Sequence, residues 1–182
     1  AVAVVVQVVG AVLHHRDDVV GASAPGALAA ALLPGLADPD ALGASGAPEQ
    51  IADKALALRA RSTDKLRLGA VKLMTDGSIQ GWTARVRWPG YVGGQPNGIW
   101  NTAPEEIYAL TAEMQRRGVQ MHIHVNGDEA AEVSIGALEA AARAHPWPGA
   151  RHVLQHCQLM DRALFARAQE LGLACNIFAN HL

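Results

Sequence analysis

The stretch MHIHVNGD, Met121 to Asp128, sets two histidines one residue apart in a short apolar run that ends in an Asn-Gly-Asp turn. In a strand, His122 and His124 point to the same face, about 7 Å apart. That spacing suits two ligands of one ion, or one ligand beside a bystander. Neutral histidines also sit in cores and mouths, hydrogen-bonded to backbone, and bind nothing. Lys72 raises a related question, because it interrupts the apolar run GAVKLM, where a buried ammonium is costly unless paired, modified or near water. It is either a lysine snorkelling to solvent or an unprotonated amine that takes up carbon dioxide, giving a carbamate whose two oxygens can bridge divalent metals.

His124 and His156 fall at the ends of successive apolar runs, so adjacent strands could aim both imidazoles into one mouth with Lys72. Imidazole nitrogen with a carboxylate or carbamate suits zinc and similar ions. The turn Thr75-Asp76-Gly77-Ser78 adds a carboxylate just beyond Lys72. His152 lies four residues before His156, on the same face but deeper, where a core position, support of a ligand or a hydrogen bond near Arg151 fits better than ligation. His181 either contacts substrate or occupies a loop, and His14, His15 and His145 read as solvated.

These residues need elements to hold them. Residues 22–50, rich in Ala, Gly and Pro, read as a surface excursion with one short helix near 26–33, and 50–61 read as a helix. Thr102-Ala-Pro-Glu105 reads as a capping box opening a helix to Arg117, closed by Gly118. Asp128 and Asp161 can cap two further helices, ended by Pro146-Trp147-Pro148 and by Gly172. Strands are expected near 68–74, 119–125, 152–157 and 173–179, and the run AVAVVVQVVGAVL adds a candidate fifth. Strands alternating with helices imply an α/β fold with a parallel sheet, open or closed into a barrel. No Gly-rich dinucleotide fingerprint or phosphate loop is present, which disfavours a nucleotide-binding sheet. A (β/α) barrel would carry its functional groups at the strand C-termini, where these polar residues fall. The loop Gly81–Trp100 holds Trp82, Trp88, Tyr91 and Trp100, half of the eight aromatic residues, and either walls a pocket or anchors itself through them.

Half of the 182 residues are hydrophobic, enough for a sizeable core. The 15 basic and 17 acidic residues are dispersed, which argues against a nucleic-acid surface. The apolar opening is too short for a bilayer span, and Cys157 and Cys175 lack metal or disulfide spacing, so a cytoplasmic protein with no membrane partner is expected. The chain begins inside one apolar run and stops just after another, which reads as a piece of a longer protein.

The segments VKLMTDGSIQGWTA, HVNGDEA and RHVLQHCQL resemble, in order and spacing, the amidohydrolase superfamily, specifically the amidohydrolase-3 group with its N-substituted formamide deformylases and exoenzyme-regulatory-like proteins. The likeness is strongest over residues 66–182. It implies that residues 1–182 are part of a (β/α)8 TIM barrel, about strands 3 to 7, of a metal-dependent hydrolase. On this resemblance Lys72 matches the fourth-strand lysine that can carry a carbamate, and His124 and His156 match the fifth- and sixth-strand metal ligands. Asp76, Gly77 and His181 match positions facing substrate. His122, Asp128, Arg151, His152 and Gln155 would support the ligands. The family usually has Glu where Gln155 stands and an apolar residue where His122 stands.

The resemblance further implies one or two divalent ions, zinc first, a small amide-like substrate and hydrolysis of carbon–nitrogen bonds other than peptide bonds. A homo-oligomer is compatible with it. The family's first-strand His-x-His and eighth-strand Asp are not in this chain, so no catalytic acid is assigned and the isolated segment is expected to be inactive. The alternative is a non-catalytic relative that binds a ligand or regulates a partner.

Overall fold

The computed structural model describes residues 4–5, 47–63, 66–67 and 69–177. The expected helix near 26–33, His14, His15 and His181 lie outside the described residues. Strands β1 (Val4–Val5) and β2 (Leu66–Arg67) pair in parallel with Val4 opposite Leu66, and helix α1 (Pro48–Arg59) lies between them in sequence. The main sheet has four parallel strands in the order β3 (Ala70–Met74), β4 (Gln120–Val125), β5 (Val153–His156) and β6 (Ala174–Ile177). Helices α2 (Pro104–Arg116), α3 (Asp128–Ala144) and α4 (Arg162–Glu170) connect successive strands.

The strand order never reverses, so right-handed crossovers put α2, α3 and α4 on the same face. That is an arc of a singly wound α/β structure, unlike an open sheet whose order reverses at a switch point. Alternation in the strands agrees. Val71 and Leu73, Met121, Ile123 and Val125, and Leu154 are buried in one cluster with Ile107, Leu110 and Met114 of α2, Ile135 and Leu138 of α3 and Leu164 of α4. Each such side chain gains about 1.5–3 kcal/mol by leaving water. The opposite face carries Lys72, His122, Gln155 and Asn176, with Lys72 in register with His122, and His124 with Gln155, then Asn176.

Helix boundaries follow the sequence with two corrections. The N-cap of α2 is Ala103, not Thr102, and the Glu106 carboxylate accepts from the Ala103 N–H at 3.2 Å. Thr102 is drawn into the sheet instead, donating from Oγ1 to the Met74 carbonyl at 2.7 Å. Asp128 is the first residue of α3, after an N-cap at Gly127. Asp161 caps α4 as expected, accepting from Leu164 N at 2.8 Å. Gly118 and Gly172 close α2 and α4 with φ of +63° and +66°, where a side chain would be strained.

The loop from Thr75 to Ala103 is fastened chiefly by its polar groups. Arg85 donates to the Gly98 carbonyl at 2.9 Å and to Glu129 at 2.9 Å, and lies over the Trp100 ring. Arg87 reaches Glu132 at 2.8 Å and Asp161 at 3.1 Å, joining the loop to the starts of α3 and α4. Tyr91 donates to the Ala84 carbonyl at 2.8 Å and meets Trp82 edge-on, whereas Trp88 stands almost wholly in solvent. Aromatic anchoring therefore describes Tyr91 and Trp100 but not Trp88. No helix among the described residues is long and apolar enough to cross a membrane.

His152 belongs to the helix layer. Its Nδ1 accepts from Met121 N at 3.0 Å, so Nε2 carries the proton and donates to Gln115 Oε1 of α2 at 2.7 Å. Burial, with a smaller contribution from His122, holds its pKa down at about 4 against an ordinary 6.5. A depressed histidine pKa means the unfolded chain binds the extra proton. The stability is complete above pH 6.5 and is lost as pH falls towards 4, by roughly 3 kcal/mol. Urea unfolding at pH 7 and pH 5 is expected to show about 2 kcal/mol of this loss in the native sequence and a flatter dependence in His152→Leu.

Candidate metal centre

The C-terminal ends of β3, β4 and β5 meet at His124. Its Nε2 lies 2.9 Å from the Gly77 carbonyl and 3.4 Å from Asp76 Oδ1, both acceptors, and 3.2 Å from the Asn126 Nδ2 donor; the shorter contact and the second acceptor favour the proton on Nε2, which leaves Nδ1 its lone pair. Metal-binding histidines commonly show this arrangement, one nitrogen fixed by a backbone acceptor and the other turned to the ion. Burial, followed by the Lys72 charge, lowers the His124 pKa, and the Gly77 bond opposes it only in part. His124 is therefore a neutral base near pH 7.

His156 reaches His124 through a backbone turn. Strict alternation along β5 would send it to the helix side with Leu154. Instead His156 and Cys157 adopt φ of +76° and +53°, and the His156 ring comes to 4.7 Å from that of His124, edge to face. Left-handed backbone at two non-glycine residues costs of order 1–3 kcal/mol each and persists only where neighbours impose it. Here Cys157 N donates to Val125 O at 3.0 Å and Leu159 N to Asn126 O at 3.1 Å, holding the turn against the end of β4. Two imidazoles sharing a tetrahedral zinc have centroids about 5 Å apart. The pair thus fits two ligands of one ion.

Lys72 is half-buried, and burial pulls its pKa down to about 8 from 10.5. Its charge is felt at both His122 and His124, which puts all three in one electrostatic neighbourhood. Among the described residues no group of three or more His, Cys, Asp or Glu side chains forms a metal cage. The donor set present is two imidazoles and an amine, a fit for part of a metal site.

A sequence model of the amidohydrolase family matches residues 21–182. The chain belongs to that family. It is 29% identical over 113 residues to a protein named putative amidohydrolase YtcJ of Bacillus subtilis, covering 62% of this chain and 21% of that one. It is 27% identical over 118 residues to the Arabidopsis thaliana protein LONG AFTER FAR-RED 3, covering 64% and 20%. Its fold matches the crystal structure of an uncharacterized metal-dependent hydrolase from Pyrococcus furiosus, with a TM-score of 0.58 and 26% identity over 71% of this chain and 26% of that chain. A metal-dependent hydrolase from Pyrococcus horikoshii matches equally well, with a TM-score of 0.58 and 25% identity. This amidohydrolase segment therefore spans about a fifth to a quarter of the length of these relatives.

Within this amidohydrolase segment, several residues expected at the site do other work. Asp76 was expected to face substrate, yet it is fully buried. Its carboxylate accepts from the backbone N–H of Gly127 at 2.8 Å, Arg85 at 3.0 Å and Asn126 at 3.1 Å, tying the ends of β3 and β4 to the long loop. Burial pushes its pKa up to about 6 against the pull of these donors. Gly77 contributes its carbonyl, which Asn126 Nδ2 also meets at 2.7 Å. Asp128 accepts from Arg87 N at 2.9 Å and supports the loop rather than a ligand. Arg151 lies before β5, at the far end of that strand from His156, and its carbonyl accepts from Gln120. His152, in the helix layer, contacts neither His124 nor His156 among the bonds described above.

Gln155 and His122 do lie together on the open face. Gln155 Nε2 is 2.9 Å from His122 Nδ1, and Asn176 Nδ2 donates to Gln155 Oε1 at 2.8 Å. Asn126, Thr75 and Asn176 were not singled out from the sequence. Thr75 bonds the His124 carbonyl through Oγ1, and its place between Met74 and the family turn was a usable signal. Asn176 was detectable only by its even spacing from Ala174 in a strand beside Gln155.

Proposed function

We propose that this chain is part of the catalytic (β/α)8 barrel of a metal-dependent amidohydrolase acting on amide-type carbon–nitrogen bonds other than peptide bonds, with Lys72, His124 and His156 as ligands. The observation that carries the reading is the His124–His156 pairing at 4.7 Å beside a half-buried lysine. A divalent ion, zinc first among candidates, would supply acidification of a water and polarisation of a carbonyl when bound. The Gly77 carbonyl orients His124, and the backbone turn at His156 brings the second imidazole across from the neighbouring strand. Lys72, with its pKa near 8, has an unprotonated fraction at neutral pH that can attack carbon dioxide. An N–C bond forms, one proton passes to solvent, and the resulting carbamate offers two oxygens to metal. Arg85 and Arg87 clamp the long loop to the starts of α3 and α4.

The test is hydrolysis of a panel of small amides and ureas by the whole protein. Release of amine or ammonia that stops on chelation and returns with zinc supports the reading. A folded, zinc-loaded protein that hydrolyses none of them contradicts it. The same reading takes a small amide-like molecule as substrate and places the protein in the cytoplasm.

A further inference from the structure

A cavity of about 260 Å3 lies in the helix layer, at the end of the strands away from His124 and His156. His152 and Leu173, which line it, immediately precede β5 and β6. The rest of its wall comes chiefly from the C-terminal parts of α3 and α4 and from the Pro146–Trp147–Pro148 break. That volume admits a small organic molecule, just below the range of about 300–1,000 Å3 that suits drug-sized ligands.

Most donors at the cavity are already committed. His152 donates to Gln115 Oε1 at 2.7 Å, and Gln115 Nε2 donates to the His145 carbonyl at 2.9 Å. The backbone N–H groups of Ala150, Leu171 and Leu173 are bonded to the carbonyls of Trp147, Arg167 and Ala168. Glu170 contributes a carboxylate that makes no ion pair among the described residues. Helices α3 and α4 end at Ala144 and Glu170, so both present the negative ends of their dipoles here. Arg143 and Arg151 are exposed and do not line the cavity, and Arg167 is held by Glu139 at 2.9 and 3.0 Å. Trp147, set between two prolines and edge-on to His152 at 5.8 Å, adds aromatic surface and one indole N–H.

We propose that this cavity binds a small organic ammonium compound, its cationic head held by Glu170 and the two helix ends and its apolar body covered by Trp147, Leu138 and Leu171. A cation beside an indole is attracted to the ring face, and more strongly as it leaves water. A calcium or magnesium ion takes about six or more oxygen ligands, which one carboxylate in an apolar wall does not offer. An anion would meet the Glu170 charge and the same negative helix ends. The inference is independent of the metal-site reading, since Lys72, His124 and His156 do not line this cavity.

The test titrates 2-phenylethylammonium into the whole protein and follows the Trp147 indole N–H in nitrogen-15 spectra, the signal being identified by its loss in Trp147→Phe. The opposite charge on a similar body is supplied by 3-phenylpropionate. The ammonium is expected to saturate with a Kd on the order of 1 mM, as suits a molecule of about nine non-hydrogen atoms, and to shift the Trp147 signal. The propionate should bind at least about tenfold more weakly, its charge being repelled where the ammonium is attracted. Glu170→Gln, at an exposed position, should weaken the ammonium about fivefold, the upper range for a solvent-facing pair, and leave zinc affinity unchanged. A titration that never saturates overturns the proposal. So does equal or tighter binding of the propionate, an ammonium affinity untouched by Glu170→Gln, or binding that leaves the Trp147 signal in place.

Discussion

Replacing His124 by Ala in the whole protein is expected to weaken zinc affinity by more than about 100-fold, beyond the losses typical of groups that only orient ligands. His156→Ala should do the same. The two rings lie 4.7 Å apart and are assigned to one ion, so their effects should be far from additive, the double variant losing little more than either single one. His122→Ala should cost only the smaller, orienting fraction. Isothermal titration with zinc separates these cases. A larger loss from His122 than from His124 would reverse the assignment of ligand and neighbour in the His-x-His pair.

Gly127→Ala is expected to destabilise the fold by about 3 kcal/mol or more. Gly127 has φ of −80° and ψ of 153°, a conformation open to any residue, so backbone strain does not enter. Space does. A Cβ there would lie 1.7 Å from the Arg85 carbonyl oxygen and 2.4 Å from its carbon, both backbone atoms that cannot swing aside. The long loop would have to leave the end of β4, taking with it the Arg85 and Gly127 bonds to Asp76. Denaturant unfolding should show the lower midpoint, and zinc affinity should fall with it, because Asn126 and Gly77, which surround His124, ride on the same contact. An alanine variant as stable as the native protein would show that the loop does not pack as described.

The scaffold was legible because its signals are local and periodic. Apolar alternation located β3 to β6, and the turn residues after them located the helices. The same parity placed Lys72, His122 and His124 on one face. It failed at His156, which parity assigns to the helix side with Leu154 and His152. The left-handed turn at His156 and Cys157 comes from contacts with Val125 and Asn126, on another strand, and no local signal encodes it. Asp76 shows a different limit. A carboxylate in a polar turn looks the same whether it faces substrate or three backbone amides, and only the packing of the long loop decides. Asn176 stayed hidden because its meaning depends on register with Gln155, which lies one helix earlier in the chain but directly beside it in the sheet.

The central claim is that Lys72, His124 and His156 form part of one metal centre. Its most direct test is elemental analysis of the purified, folded whole protein, with and without the His124→Ala and His156→Ala changes. About one or two equivalents of a divalent ion in the native protein, falling to near zero in either variant while the fold is retained, is the predicted result. A fully folded native protein that holds no metal and takes up none from added zinc would contradict it, and would instead favour a relative that binds a ligand without hydrolysing it.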